Sequence, residues 1–183
     1  NCGSADVIEE LGIPCSSNPL KAKKMLERIN FVFLLAPAFH PIMAKIMPIR
    51  RSLGVETVFN ILGPLINPTI PEYQLIGVYS PKLCKIVAEA LSLVGIKRAL
   101  VVHGSGLDEV ALHGPTLVYE VNTKNIESYY VEPEEVGFKK CDLKELLILD
   151  KKTSSKKILD VFYGKKGPVR DFIVLNSSFA LYA

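Results

Sequence analysis

The sequence lacks the marks of a membrane protein, a metal-cysteine domain or a nucleic-acid binder. No run of about 18 apolar residues occurs in its 183 residues, so no transmembrane helix is expected. Only four cysteines are present, Cys2, Cys15, Cys84 and Cys141, and none forms a CxxC pair. Neither zinc nor redox chemistry is indicated, and a reducing, cytoplasmic setting is expected. Charge of one sign is also scarce: 22 Lys and Arg stand against 19 Asp and Glu, for a net charge of +3. The two signs are interspersed, without the basic stripe that nucleic-acid binding uses. The lysine-rich stretches 21–24 and 151–157 read as solvated faces. No secretory signal, internal repeat or low-complexity segment is recognised. The phosphate fingerprints GxGxxG and GxxxxGK[ST] are missing, and no Ser, Cys or His arrangement suggests covalent catalysis.

What is present suits a folded α/β protein. Hydrophobic residues make up 49% and charged residues 22%, enough for one domain or one domain and a small lobe. Residues 4–12 follow helix grammar, with Ser4 as cap, acids near the start and Gly12 as the stop. Asn18-Pro19 opens a second helix, whose Leu20, Met25, Leu26 and Ile29 fall roughly on one face. The apolar run 31–35 predicts a strand buried on both sides. Residues 37–53 read as helix broken at Pro41 and Pro48, with Gly54 closing it. Residues 60–68, dense in Gly, Pro and Asn, predict a rigid loop.

A strand over 73–78, an amphipathic helix over 81–94 ended by Gly95, and a strand over 98–102 make a βαβ unit with parallel strands. Residues 117–121 and 126–131 predict an antiparallel pair, and helices over 156–163 and 168–182 close the chain. The expected class is α/β: a mostly parallel central sheet with flanking helices, plus part of a small helical lobe.

Ligands of open α/β sheets bind beyond the carboxyl ends of the strands. There the buried run Ala99-Leu100-Val101-Val102 leads through His103-Gly104-Ser105-Gly106-Leu107 to Asp108 and Glu109. Adjacent carboxylates repel, and a divalent cation such as Mg2+, sharing substrate phosphates, would relieve that; a merely solvated loop is the other reading. Gly3-Ser4 leads into a helix N-terminus suited to a phosphate, a role compatible with capping. Arg50-Arg51, with His40 upstream, offers a guanidinium fork for a planar carboxylate, or two surface arginines and a histidine at a bend. His103, directly after a buried strand, suits a structural histidine better than a catalyst.

Five stretches occur in order: Gly3-Ser4-Ala5-Asp6-Val7, Phe39-His40-Pro41, Val58-Phe59-Asn60-Ile61-Leu62-Gly63-Pro64-Leu65 with Asn67-Pro68, Gly106-Leu107-Asp108-Glu109-Val110, and Leu112-His113-Gly114-Pro115-Thr116. Together they resemble the anthranilate phosphoribosyltransferases, the tryptophan-pathway branch of the nucleoside-phosphorylase-like transferases. The resemblance covers nearly the whole chain and weakens after about residue 121. It implies transfer of a phosphoribosyl group from phosphoribosyl pyrophosphate to anthranilate, with Mg2+ as cofactor and a homodimeric assembly. Asp108 and Glu109 match the family's Mg2+ ligands, Ser4 a contact to phosphoribosyl pyrophosphate, and Arg50 the anthranilate-holding arginine. His40 and Gly63 match positions lining the anthranilate channel, and no residue matches a covalent catalyst.

The resemblance further implies that residues 1–183 are a truncated phosphoribosyltransferase α/β domain. About 37–66 would pack with an N-terminal helical domain, and the family's Gly-Thr-Gly-Gly-Asp phosphate loop would precede Asn1, as would its Lys-His-Gly-Asn-Arg stretch. Both ends read as cut, and a chain without that loop is expected to be inactive alone. Two other readings stay open. A pyrimidine nucleoside phosphorylase would hold inorganic phosphate and need no paired acids. A non-catalytic nucleic-acid-binding relative would need a basic groove.

Overall fold

The computed structural model describes residues 3–15, 18–40, 59–123, 125–148 and 150–183. In chain order its elements are α1 (Ser4–Glu10), α2 (Pro19–Ile29), α3 (Ala36–Phe39), α4 (Phe59–Leu65), β1 (Tyr73–Gly77), α5 (Pro81–Leu93), β2 (Arg98–Gly104), β3 (Thr116–Asn122), β4 (Ile126–Val131), a 3-10 turn (Pro133–Val136), α6 (Leu143–Leu146), α7 (Lys151–Phe162) and α8 (Pro168–Tyr182). They fall into two compact units, Asn1–Gly63 with Ile148–Asp160, and Pro64–Leu147 with Val161–Ala183. No helix of the described residues is long and apolar enough to cross a membrane.

In the first unit the helix boundaries follow from local hydrogen bonding. Gly3, not Ser4, is the N-cap of α1; Ser4 is the first helical residue, and the Asp6 carboxylate accepts from Gly3 N at 2.8 Å. Gly12, at φ 76°, stops the helix by donating to Glu9 O, while Ile13 N donates to Ile8 O. Asn18 caps α2 as expected, its Oδ1 accepting from Leu20 N (2.9 Å) and Lys21 N (3.1 Å). The strand expected over 31–35 does not form: residue 34 makes an isolated bridge, and Phe31 is 48% exposed. A strand needs a hydrogen-bonding neighbour along its length, and an apolar run does not supply one. The broken helix expected over 37–53 begins as α3, and the rest lies outside the described residues.

The loop expected over 60–68 starts later than its composition suggested. Helix α4 runs through Gly63 and Pro64 before ending at Leu65. The irregular part follows, where Asn67 Oδ1 accepts from both Thr69 N (3.0 Å) and Thr69 Oγ1 (2.9 Å).

The second unit contains a four-stranded sheet in the order β1-β2-β3-β4. β1 pairs parallel with β2, Tyr73 opposite Arg98 through Gly77 opposite Val102. β2 with β3 and β3 with β4 pair antiparallel. The α/β class holds and the sheet is mixed, not mostly parallel. Residues 105–115 contain no helix, and a short irregular link lets the next strand only double back, whereas a parallel return needs a crossover. Strand β2 is buried on both faces. Leu100 and Val102 join Val110, Leu112, Val118 and Leu175 of α8 in one cluster. Ala99 and Val101 alternate to the other side, where α5 packs along β2 and β3 through its buried Cys84, Val87, Ala88 and Leu91. Burying each Leu or Val contributes about 1.5–3 kcal/mol, so this sheet with its two helices holds the unit together.

Candidate functional site

β2 ends where the glycine-rich loop begins. Gly104 and Leu107 exchange two backbone hydrogen bonds of 2.9 Å, closing a reversal on Ser105 and Gly106. Both central residues have positive φ, 47° and 96°, the sign pattern of a type I′ turn. Ser105 Oγ donates to Pro115 O at 2.8 Å, which helps hold a serine in that unfavourable region. His103 ties the turn to the end of the neighbouring strand. Its Nε2 lies 3.3 Å from Gly106 N and its Nδ1 2.8 Å from Val78 O. Gly106 N–H can only donate, so Nε2 accepts and the ring proton sits on Nδ1, donating to Val78. His103 is therefore a satisfied structural histidine.

After the turn, Asp108 and Glu109 are exposed while Val110, Ala111 and Leu112 are buried. The chain here presses against the strand ends. A Cβ on Gly77 would overlap the Asp108 carbonyl, and one on Gly104 would overlap that of Glu109. Ala111 N donates to the buried Thr116 Oγ1 at 2.9 Å. Val110 N donates to Asn176 Oδ1 at 2.8 Å, and Asn176 Nδ2 donates back to Val110 O at 3.0 Å. Two carboxylates thus stand on a backbone fixed before and after them.

The electrostatics suit a cation. The Glu109 carboxyl is pushed above the usual carboxylate range, first by partial burial and then by the charge of Asp108. The residue keeps solvent access, so the desolvation is incomplete. Among the described residues neither carboxylate takes part in an ion pair, and no cluster of three or more His, Cys, Asp or Glu could hold a metal. A metal ion here would rest on two hard oxygen donors and complete its shell from water and a ligand's phosphates. That donor set fits Mg2+.

The other sequence-derived candidates lie in the first unit or outside the described residues. Ser4 is exposed at the start of α1, and His40 ends α3, its backbone N donating to Ala36 O at 3.0 Å. Gly63 is exposed in α4, where a Cβ would meet nothing within 4 Å. These three belong to the first unit, and Asp108 and Glu109 to the second. Arg50 lies outside the described residues. Three supports of the carboxylates escaped the sequence reading: Gly77, Thr116 and Asn176. Only Asn176 left a signal, as an amide within the apolar helical stretch 172–179.

The chain matches the family described as the glycosyl transferase family, a/b domain, over residues 1–183. It is 49% identical to the anthranilate phosphoribosyltransferase of Pyrococcus abyssi over 182 residues, 99% of this chain and 56% of that protein. With the enzyme of the same name from Ruminiclostridium cellulolyticum it shares 46% over 182 residues, 99% of this chain and 53% of the relative. The chain spans about half the length of the curated relatives it matches. Among solved structures, the Thermus thermophilus anthranilate phosphoribosyltransferase superposes with a TM-score of 0.90 at 40% identity, covering 99% of this chain and 54% of that one. The Saccharomyces cerevisiae enzyme in complex with PRPP and Mg superposes with a TM-score of 0.87 at 33% identity, covering 98% of this chain and 52% of that one. With a match along its entire length and a common fold, the chain belongs to the glycosyl transferase family through its a/b domain.

Proposed function

We propose that the protein carrying this chain transfers a phosphoribosyl group from phosphoribosyl pyrophosphate to anthranilate, releasing pyrophosphate. The anthranilate amine attacks the anomeric carbon as the C–O bond to pyrophosphate breaks. The transition state is oxocarbenium-like, so the protein's work is to position two reactants and to neutralise a departing polyanion. Asp108 and Glu109 would hold Mg2+, which when bound supplies positive charge to the pyrophosphate oxygens. Ser4 would contact phosphoribosyl pyrophosphate, and Arg50 would grip the anthranilate carboxylate with its planar fork and leave the amine free. His40 and Gly63 would line the anthranilate channel. The protein would act as a homodimer in the cytoplasm.

The observation that carries the reading is the Asp108–Glu109 pair, two adjacent acids with no ion-pair partner among the described residues, on a loop held at both ends beyond β2. The names of the relatives, and the yeast complexes with PRPP and Mg and with 4-fluoroanthranilate, support it. The loop acids weigh against a phosphate-only nucleoside phosphorylase, and the balanced charge weighs against a nucleic-acid binder.

The test uses a protein of the relatives' full length. Asp108→Asn with Glu109→Gln lowers Mg2+-dependent turnover at least tenfold, about 1.4 kcal/mol; an unchanged Mg2+ titration overturns the assignment. Arg50→Ala raises the KM for anthranilate more than that for phosphoribosyl pyrophosphate, and Arg50→Lys recovers part of the loss. The opposite split in KM makes Arg50 a phosphate ligand. Residues 1–183 alone show no turnover.

A further inference from the structure

We propose that Asn176 is a positioning residue for the Asp108–Glu109 carboxylates, an inference that rests on the Mg2+ reading of that pair. Asn176 is 66 positions away from Val110 in sequence, yet its side-chain amide pairs with both backbone groups of that residue, accepting at 2.8 Å and donating at 3.0 Å. The second Nδ2 hydrogen goes to Phe172 O, one turn back in α8, at 3.0 Å. Every donor of the amide is used. Rotating it by half a turn would face Nδ2 to the Val110 N–H and Oδ1 to two carbonyls, so the orientation is fixed by its partners. Its neighbour Leu175, 1% exposed, anchors this part of α8 in the core.

The consequence for the acids is geometric. The N–H that Asn176 accepts belongs to the peptide joining Glu109 to Val110. Holding that plane helps set where the Glu109 side chain leaves the backbone. On the other side of the pair, the Asp108 carbonyl lies against Gly77 and the turn is tied down by His103. Two adjacent like charges favour splaying apart, and a metal site tolerates only about 0.5 Å of misplacement. Asn176 closes the clamp on the side where the chain enters the core. Asparagine is also a poor choice for a helix interior, by a few tenths of a kcal/mol against alanine, and here its amide has a use that alanine lacks.

The experiment titrates Mg2+ calorimetrically into the full-length protein with pyrophosphate present, beside steady-state kinetics. Four variants are compared with the parent: Asn176→Ala, the isosteric Asn176→Asp, Val87→Ala, and Asp108→Asn with Glu109→Gln. Asn176→Ala is expected to weaken Mg2+ binding about tenfold and to leave the KM for anthranilate within about twofold. Asn176→Asp keeps the acceptor but loses the donors to Val110 O and Phe172 O, and is expected to weaken binding at least about threefold. It carries the test if the alanine variant does not fold. Val87→Ala, in α5 on the opposite face of the sheet, loosens the core without touching the clamp and is expected to lower Tm while keeping Mg2+ affinity. Parent-like Mg2+ binding by the Asn176 variants, with binding lost in the carboxylate variant, overturns the positioning role and leaves the metal reading standing. An equal loss in Val87→Ala also overturns it, because general loosening then explains the effect. Parent-like binding by the carboxylate variant brings down both.

Discussion

The two units are built to different standards. In the first, α2 is well capped by Asn18 yet buries only Ala22, with Leu20 and Ile29 73% and 61% exposed, and α1 has no buried residue. In the second, Leu91, Leu100, Val101, Val102 and Leu175 are all at most 1% exposed. Caps and burial therefore do separate work. Asn18 and Gly12 decide where helices begin and end, and a cap such as Asn18 contributes about 1 kcal/mol. Core packing decides how firmly elements are held, and it requires partners that a cap does not provide.

The largest test of this contrast is in the cores. Leu100→Ala should destabilise the second unit by about 2–5 kcal/mol in urea unfolding. Leu26→Ala in α2, 41% exposed, should cost under about 1 kcal/mol. Similar losses at both positions would erase the distinction. A second comparison uses glycines. Gly104→Ala forces a Cβ into the backbone of Glu109 and Ala111 and should cost about 1–3 kcal/mol. Gly63→Ala meets nothing beyond its chain neighbours, and with only the ring of Pro64 to accommodate it should cost less than Gly104→Ala. Next in size, Asn18→Ala should cost about 1 kcal/mol, read as lost helical circular dichroism, with Mg2+ binding unchanged.

The smallest effect is invisible at neutral pH. Burial pushes the Cys84 thiol from 9.0 up to about 11. A raised acid favours its protonated form in the folded state, so this contribution is complete below pH 9.0 and is lost as pH climbs to about 11. Tyr129, raised by burial and by donating to Glu120, should extend the loss to still higher pH. Urea unfolding across that range should show falling stability, and Cys84→Ala should flatten the first part of the slope.

How much was legible follows from what each feature depends on. The β1-α5-β2 unit could be read because its apolar runs are bounded by Gly95 and Gly104 and its helix shows its own period. The run 31–35 looked the same in sequence and formed no strand, since pairing is a property of the neighbour. Residues 59–65 were helical despite Gly63 and Pro64, because composition weighs residues without regard to where in a turn they fall. The antiparallel β2–β3 pairing was missed because the sequence shows two strands and a link, not the direction of return. For the candidate site, adjacency alone exposed Asp108 and Glu109. Their supports Gly77 and Asn176 were hidden, since each acts on a segment at least 31 residues away in the chain.

The strand order has a kinetic meaning. Each strand lies beside its neighbour in sequence, so the sheet from Tyr73 to Val131 can assemble through one crossover by α5 and two reversals, each closing a local stretch of chain. The pairing of Val110 with Asn176 spans 66 residues and must wait until α8 arrives on an already formed surface. Strand pairing can therefore begin before α8 is in place, but the core around Leu100 and Val102 and the final shape of the loop that bears Asp108 and Glu109 both wait for that last helix.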